Sequence, residues 1–190
     1  MEMDDAAAVT RVRAGEKDCF RVLVERHSHD VFRLAFRMMG NEQDAEEVVQ
    51  DTFLRAYRSL DRFQSRSSFG TWLYRIAANR CYDLLDQRKS RPEPQPQTDP
   101  EAPPLEHQIP SDRPSPERNL LSQEIGMRVQ SGIDRLTPSE RTAFVLRHFE
   151  GRSIEEIAET LKIGLGATKN SIHRAVQKLR QELEPLRATR

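Results

Sequence analysis

Apolar side chains return every three or four positions through most of the first ninety residues, the spacing of a helix face rather than the alternation of a strand. Phe20, Leu23, Val24, Val31, Leu34, Ala35 and Met38, with His27 among them, trace one such face, and Gly40-Asn41 ends it. A second face runs through Ala45, Val48, Val49, Thr52, Phe53, Ala56, Tyr57 and Leu60. Its outer side carries Glu46, Glu47, Gln50, Asp51, Arg55 and Arg58. Polar residues then take over in "DRFQSRSS", which predicts a loop. A third long helix is predicted from about Phe69 to about Lys89, with Leu73, Ile76, Ala77 and Leu84 as its core stripe. No stretch alternates at period two with β-branched residues, so strands are not expected.

The pattern fails abruptly at "RPEPQPQTDPEAPPLEHQIPSDRPSP", residues 91–116, which holds nine of the eleven prolines. Proline fixes φ and removes a donor, so an extended, flexible tether is expected here. A structureless stretch of that length does not belong inside one compact domain. It therefore separates an N-terminal domain, 1–90, from a C-terminal one, 117–190. The second domain opens on helix-start signals. "SPE" at 115–117 offers a cap serine before proline, "TPSE" at 137–140 adds a capping-box glutamate, and "SIEE" at 153–156 follows Gly151. Four helices are expected there. The fold class is all-α, two small helical domains joined by a flexible Pro-rich linker.

In the last helix Thr168, Ile172, Ala175, Val176, Leu179 and Leu183 recur at core spacing. Lys169 and His173 stack one turn apart on the opposite side, with Asn170 and Arg174 stacked beside them. All four are donors or potential donors, which phosphate oxygens and the major-groove edge of guanine accept. The preceding helix, Ile154 to Leu161, turns Ile157, Ala158 and Leu161 inward, and small Ala158 permits close approach. This is the helix-turn-helix arrangement. Spacing alone also fits a helical hairpin with a solvated face.

Charge sharpens the choice. Thirty basic and thirty acidic residues cancel, yet they are segregated. Residues 42–51 carry five acids and no base, whereas 62–91 and 162–190 each carry seven bases against two acids. Affinity for nucleic acid depends on the local patch that meets the phosphates, so a neutral total does not argue against it.

Other classes find little support. The chain has no apolar run long enough to span a bilayer, and its first residues lack the basic-then-apolar order of a secretion signal. Cys19 and Cys81 do not make a disulfide framework, and a reducing cytoplasm is the simple reading. His27, His29 and the two cysteines lack CxxC or HExxH spacing, so no metal is expected. No glycine-rich phosphate loop or nucleophile motif appears. Catalysis, a small-molecule substrate and a cofactor are not expected.

Three stretches go further than spacing. "DAEEVVQDTFLRAYRSLDRF", "SSFGTWLYRIAANRCYDLLDQRK" and "LTPSERTAFVLRHFEGRSIEEIAETLKIGLGATKNSIHRAVQKLR" strongly resemble, in order, the two domains of the extracytoplasmic-function group of alternative sigma factors. The resemblance implies a dissociable initiation subunit of bacterial RNA polymerase. The first domain would bind core polymerase and open the -10 promoter element; the last would read the -35 element as duplex. It places Glu47, Gln50 and Asp51 on the polymerase-binding surface. It places Phe63, Gln64, Ser65, Arg66 and Ser67 in the loop that receives an extruded promoter base, with Asn79 and Asp83 near that base and Trp72 supporting the pocket or simply packed in the core. Extrusion costs a few kcal/mol of stacking, which such a pocket has to return. Arg75, Arg80, Arg88 and Lys89 would hold the strand backbone. Lys169, Asn170, His173 and Arg174 match positions that contact bases and phosphates, and Gly166 and Ala167 open that helix where backbone N–H groups meet a phosphate.

The acidic linker matches a connector in the RNA exit path, or is a plain tether. An anti-sigma factor, commonly membrane-tethered, is implied as a further partner. Three departures stand out. Lys162 occupies a position usually held by glycine; if the backbone there is left-handed, lysine costs about 1 kcal/mol, unless the turn is rebuilt around Gly164. Ser171 replaces a common arginine and Ala167 a common threonine, each removing an expected phosphate contact. The loop reads "FQSRSS" where an arginine-glycine pair is commoner. A DNA-binding regulator that never touches polymerase is the main rival, but its other half would need strands and a phosphate-accepting aspartate, and neither is visible.

Overall fold

The computed structural model describes residues 3–64, 67–90, 126 and 128–187, with side chains as far as Glu184. The chain divides into two compact units, Met1–Glu93 and Pro94–Arg190. The proline-rich stretch 91–116 and the cap predicted at 115–117 lie outside the described residues. Among those described, every regular element is helical.

The first unit holds α1 (Asp5–Arg13), α2 (Phe20–Met39), α3 (Glu42–Arg58) and α4 (Phe69–Ser90), with 3₁₀ turns at Lys17–Cys19 and Leu60–Arg62. Helices α2, α3 and α4 pack on one another. Leu23, Leu34, Met38, Val48 and Leu73 are fully buried between them. Each such apolar side chain contributes about 1.5–3 kcal/mol relative to exposure. Helix α2 ends at Gly40, whose φ of 82° is left-handed and favours glycine. Asn41 then accepts from the Asp44 N–H at 2.9 Å and starts α3.

One expectation changes. The buried stripe of α4 is Phe69, Leu73, Ala77, Ala78 and Cys81, while Ile76 and Leu84 are half-buried. The long helix faces α2 and α3 at once, so its buried arc is wider than one line of large residues. Helix α1 was not among the predicted elements. Capped by Asp4, it buries Ala8, Val9 and Val12 and packs against α2.

The second unit holds α5, described over 128–134, then α6 (Pro138–His148), α7 (Ile154–Leu161) and α8 (Leu165–Arg187). Helices α6, α7 and α8 pack pairwise. Ile133, Leu136, Ala175 and Leu179 form the core where α5 meets α8. A Cβ at Gly132 would stand 2.8 Å from Leu179 Cδ2, so a larger residue there would require the Leu179 side chain to shift. The capping box predicted at Thr137/Glu140 is present, and the start signal at 153–156 forms a second one between Ser153 and Glu156. Gly151, at φ 62°, shapes the loop after α6, although the helix itself has ended at His148.

Candidate functional site

Three surfaces carry the predicted residues. On α3, Glu47 and Asp51 are one turn apart on the side facing α4. Arg80 of α4 donates to Glu47 Oε1 at 3.2 Å and lies 2.6 Å from Asp51 Oδ2. Its side chain is only 13% exposed. Arg80 is thus held against the acids of α3 instead of standing clear for a strand phosphate. Arg88 is held similarly, donating to Asp44 at 2.6 Å. Burial raises the Asp44 carboxyl, but the bonds from Arg88 and Asn41 outweigh it and keep the pKa below the usual value. Gln50 remains exposed on the outer edge, beside Glu46 and Glu47.

The second surface is the 61–68 loop and the start of α4. Ser65 and Arg66 lie outside the described residues; Gln64 and Ser67 are exposed. Phe63 is not exposed. It is 6% accessible, with its ring 6.0 Å from Phe69 and 5.1 Å from Trp72. Phe63 and Trp72 therefore pack together at the start of α4, with the Phe63 ring turned inward. His27 tilts against Phe69 at 5.5 Å and bonds Asp5 at 2.8 Å. Asp83 is exposed, and Asn79 and Arg75 are half-buried on α4.

The third surface is the helix-turn-helix pair α7 and α8. Lys169, Asn170, His173 and Arg174 are all exposed, as are Gly166 and Ala167 in the first turn. The opposite side buries Thr168, Ala175 and Leu179. Ser171 is buried too, at 3%. The serine side chain therefore faces the interior and not the solvent. The turn keeps a left-handed residue at Lys162, with φ 54° and ψ 39°. Gly164 keeps a negative φ, so the turn is not rebuilt around it. Its carbonyl accepts from the Thr168 N–H at 3.0 Å, closing the first turn of α8.

The pattern gave Glu140 only as a capping residue and did not single out Leu165. Glu140, 3% exposed, completes the cap of α6, accepts from Lys178 Nζ at 2.7 Å and lies 3.3 Å from Arg174 Nε. It ties the recognition edge of α8 to the start of α6. Burial raises its carboxyl, but the bonds from Lys178 and Thr137 hold the pKa below normal. Leu165, 48% exposed, opens α8 one turn before Lys169; its signal was an apolar residue at i−4 from a predicted contact. Among the described residues no group of three or more His, Cys, Asp or Glu is placed to hold a metal. None of the described helices is long and apolar enough to cross a membrane.

These surfaces coincide with known families. Residues 23–91 match the Sigma-70 region 2 family and residues 126–179 the Sigma-70, region 4 family. The RNA polymerase sigma-H factor of Pseudomonas aeruginosa is 38% identical over 184 residues, covering 96% of this chain and 95% of that one. The ECF RNA polymerase sigma factor SigW of Bacillus subtilis is 35% identical over 191 residues, covering 98% and 100%. Among solved structures, CnrH in complex with the cytosolic domain of CnrY superposes with a TM-score of 0.61 at 27% identity, covering 95% of this chain and 97% of that one. Two regions matched in order, on relatives of the same length, leave one assignment: the chain belongs to the extracytoplasmic-function group of sigma-70-type RNA polymerase sigma factors.

Proposed function

We propose that this chain binds core RNA polymerase through Glu47, Gln50 and Asp51, captures the opened -10 strand with the 61–68 loop and α4, and reads the -35 duplex with α8. It works by binding and positioning, with no chemical step of its own, in the cytoplasm where polymerase and promoter meet. The observation that carries this reading is one chain holding both sigma regions in order, with the donor edge of α8 and Gln50 of α3 turned to solvent. On α8, side chains from a single helix face can enter the major groove, while Gly166 and Ala167 offer N–H groups to the backbone. On α3, Arg80 fixes the carboxylates of Glu47 and Asp51, so that a cationic polymerase surface meets them already oriented. The likeness to CnrH, solved with the cytosolic domain of CnrY, supports control by a protein partner, an anti-sigma factor.

Separating the two binding activities tests this reading. Arg174→Ala is expected to weaken duplex binding and to lower the salt dependence by about one phosphate contact, with core polymerase binding intact. The pair Gln50→Ala and Asp51→Ala is expected to do the reverse. Loss of core binding with Arg174→Ala, or unchanged core binding with the double variant, contradicts the assignment of surfaces.

A further inference from the structure

A carboxylate is seldom fully buried unless it is paired, and Glu140 is 3% exposed in the first turn of α6. Its two oxygens have different partners. Oε2 accepts from the Thr137 N–H at 3.0 Å, closing the capping box, and from Lys178 Nζ at 2.7 Å. Oε1 lies 3.3 Å from Arg174 Nε. Arg174 and Lys178 are one turn apart on α8, in line with Asn170. A carboxylate of the α6 cap thus stands against the edge of the helix assigned to the duplex.

Surface ion pairs are worth little when both side chains have to be ordered to make them. Here one partner is ordered in advance. The cap and Lys178 hold the Glu140 carboxylate whether or not Arg174 meets it. Arg174 has no such second restraint: its side chain is 59% exposed, and among the described residues Glu140 is its partner. The guanidinium meets Glu140 through Nε, which leaves its terminal nitrogens for an anion arriving from solvent.

We propose that Glu140 is a positioning residue for -35 recognition: it holds the Arg174 guanidinium against the α6 cap, so that Arg174 takes one particular phosphate and sets the register in which Lys169, Asn170 and His173 meet the bases. The proposal rests on the reading of α8 as the duplex-binding helix. Phosphate contacts carry no sequence information themselves, but they fix orientation on the duplex. A long side chain free to swing reaches more than one phosphate, so register is set less sharply while the attraction of its charge persists. Loss of the Glu140 charge therefore separates discrimination from affinity.

The test uses holoenzyme reconstituted from bacterial core polymerase and the full chain, carrying wild type, Glu140→Gln, Lys178→Met, Arg174→Ala, or Arg174→Ala with Glu140→Gln. Each is given random-sequence duplex and the bound sequences are counted; binding to a duplex of unrelated sequence is then titrated against salt. All are measured well below the melting transition of the least stable variant. Glutamine keeps an acceptor for the Thr137 N–H, as capping boxes allow. Glu140→Gln is expected to lower discrimination across the -35 element about tenfold, with affinity for unrelated duplex and its salt slope no lower than in wild type. Lys178→Met leaves Oε1 and Arg174 paired and is expected to keep that discrimination. In the Arg174→Ala chain, Glu140→Gln is expected to add no further loss.

Unchanged discrimination in Glu140→Gln overturns the proposal. So does a loss matched by weaker binding to unrelated duplex, an equal loss in Lys178→Met, or a further loss beyond Arg174→Ala, since each marks a structural role only. A wild-type holoenzyme that enriches no -35 element, or an Arg174→Ala chain indistinguishable from wild type, removes the reading of α8 itself, a different failure that those two arms identify.

Discussion

Lys162 holds a left-handed backbone, the one non-glycine residue to do so among those described. Its N–H still closes α7 onto Ala158 and Glu159, as a glycine would. The left-handed form costs an L-residue about 1–2 kcal/mol, part of which returns because a cation suits the helix C-terminus. Lys162→Gly is accordingly expected to stabilise the second unit by about 1 kcal/mol, seen as a higher urea midpoint; a midpoint unchanged or lowered would mean that the lysine is compensated elsewhere. That this position is left-handed was legible as a condition attached to the motif, but the outcome was not, because a substitution alone does not say whether the turn moves. Ser171 shows another limit. Neighbouring positions on a helix differ by about 100°, so a modest rotation separates exposed Asn170 from buried Ser171, and the motif did not fix it. Phe63 and Arg80 were assigned by chain position to a DNA face, whereas aromatic packing and the acids of α3 hold them inward.

At the level of elements, the caps were the most legible feature. "TPSE" and "SIEE" satisfy orphan N–H groups through contacts only three residues apart, so local sequence carries the whole arrangement. Helix α1 was not legible. It has nine residues with a weak apolar face, and it is defined by distant partners: α2, and the Leu60 carbonyl that Arg13 reaches. Glu140 joins both kinds of contact, closing its own cap and pairing with Lys178 and Arg174 across from α8. Its folded pKa is lowered, so its stabilisation is full above the unfolded value near 4.5 and is lost as pH falls through the folded one. Asp5 and Asp44 act with the same sign in the first unit. Glu140→Gln is therefore expected to cost about 1–3 kcal/mol at pH 7 and to differ less from wild type below pH 4.5. Urea melts at both pH values check this; a constant difference would show that the charge of Glu140 is immaterial.

Across the whole molecule, a net charge of zero is the sum of opposed patches, each suited to a different partner. The acidic edge of α3 precedes the basic α4, and both lie in the first unit; the donor edge of α8 lies in the second. The division into two helical units was legible, because proline content and loss of periodicity mark the break directly. The pairing of Arg80 and Arg88 with the acids of α3 was not, since it joins residues 33 and 44 positions apart in sequence and depends on how two helices come together. The measurement that tests the account most directly is multi-round transcription from a genomic fragment library by bacterial core polymerase, with and without this chain. The account predicts new transcripts that begin at sites sharing two sequence elements, appearing only when the chain is present. No new starts, together with no co-elution of chain and core, would contradict it and leave a DNA-binding regulator in its place.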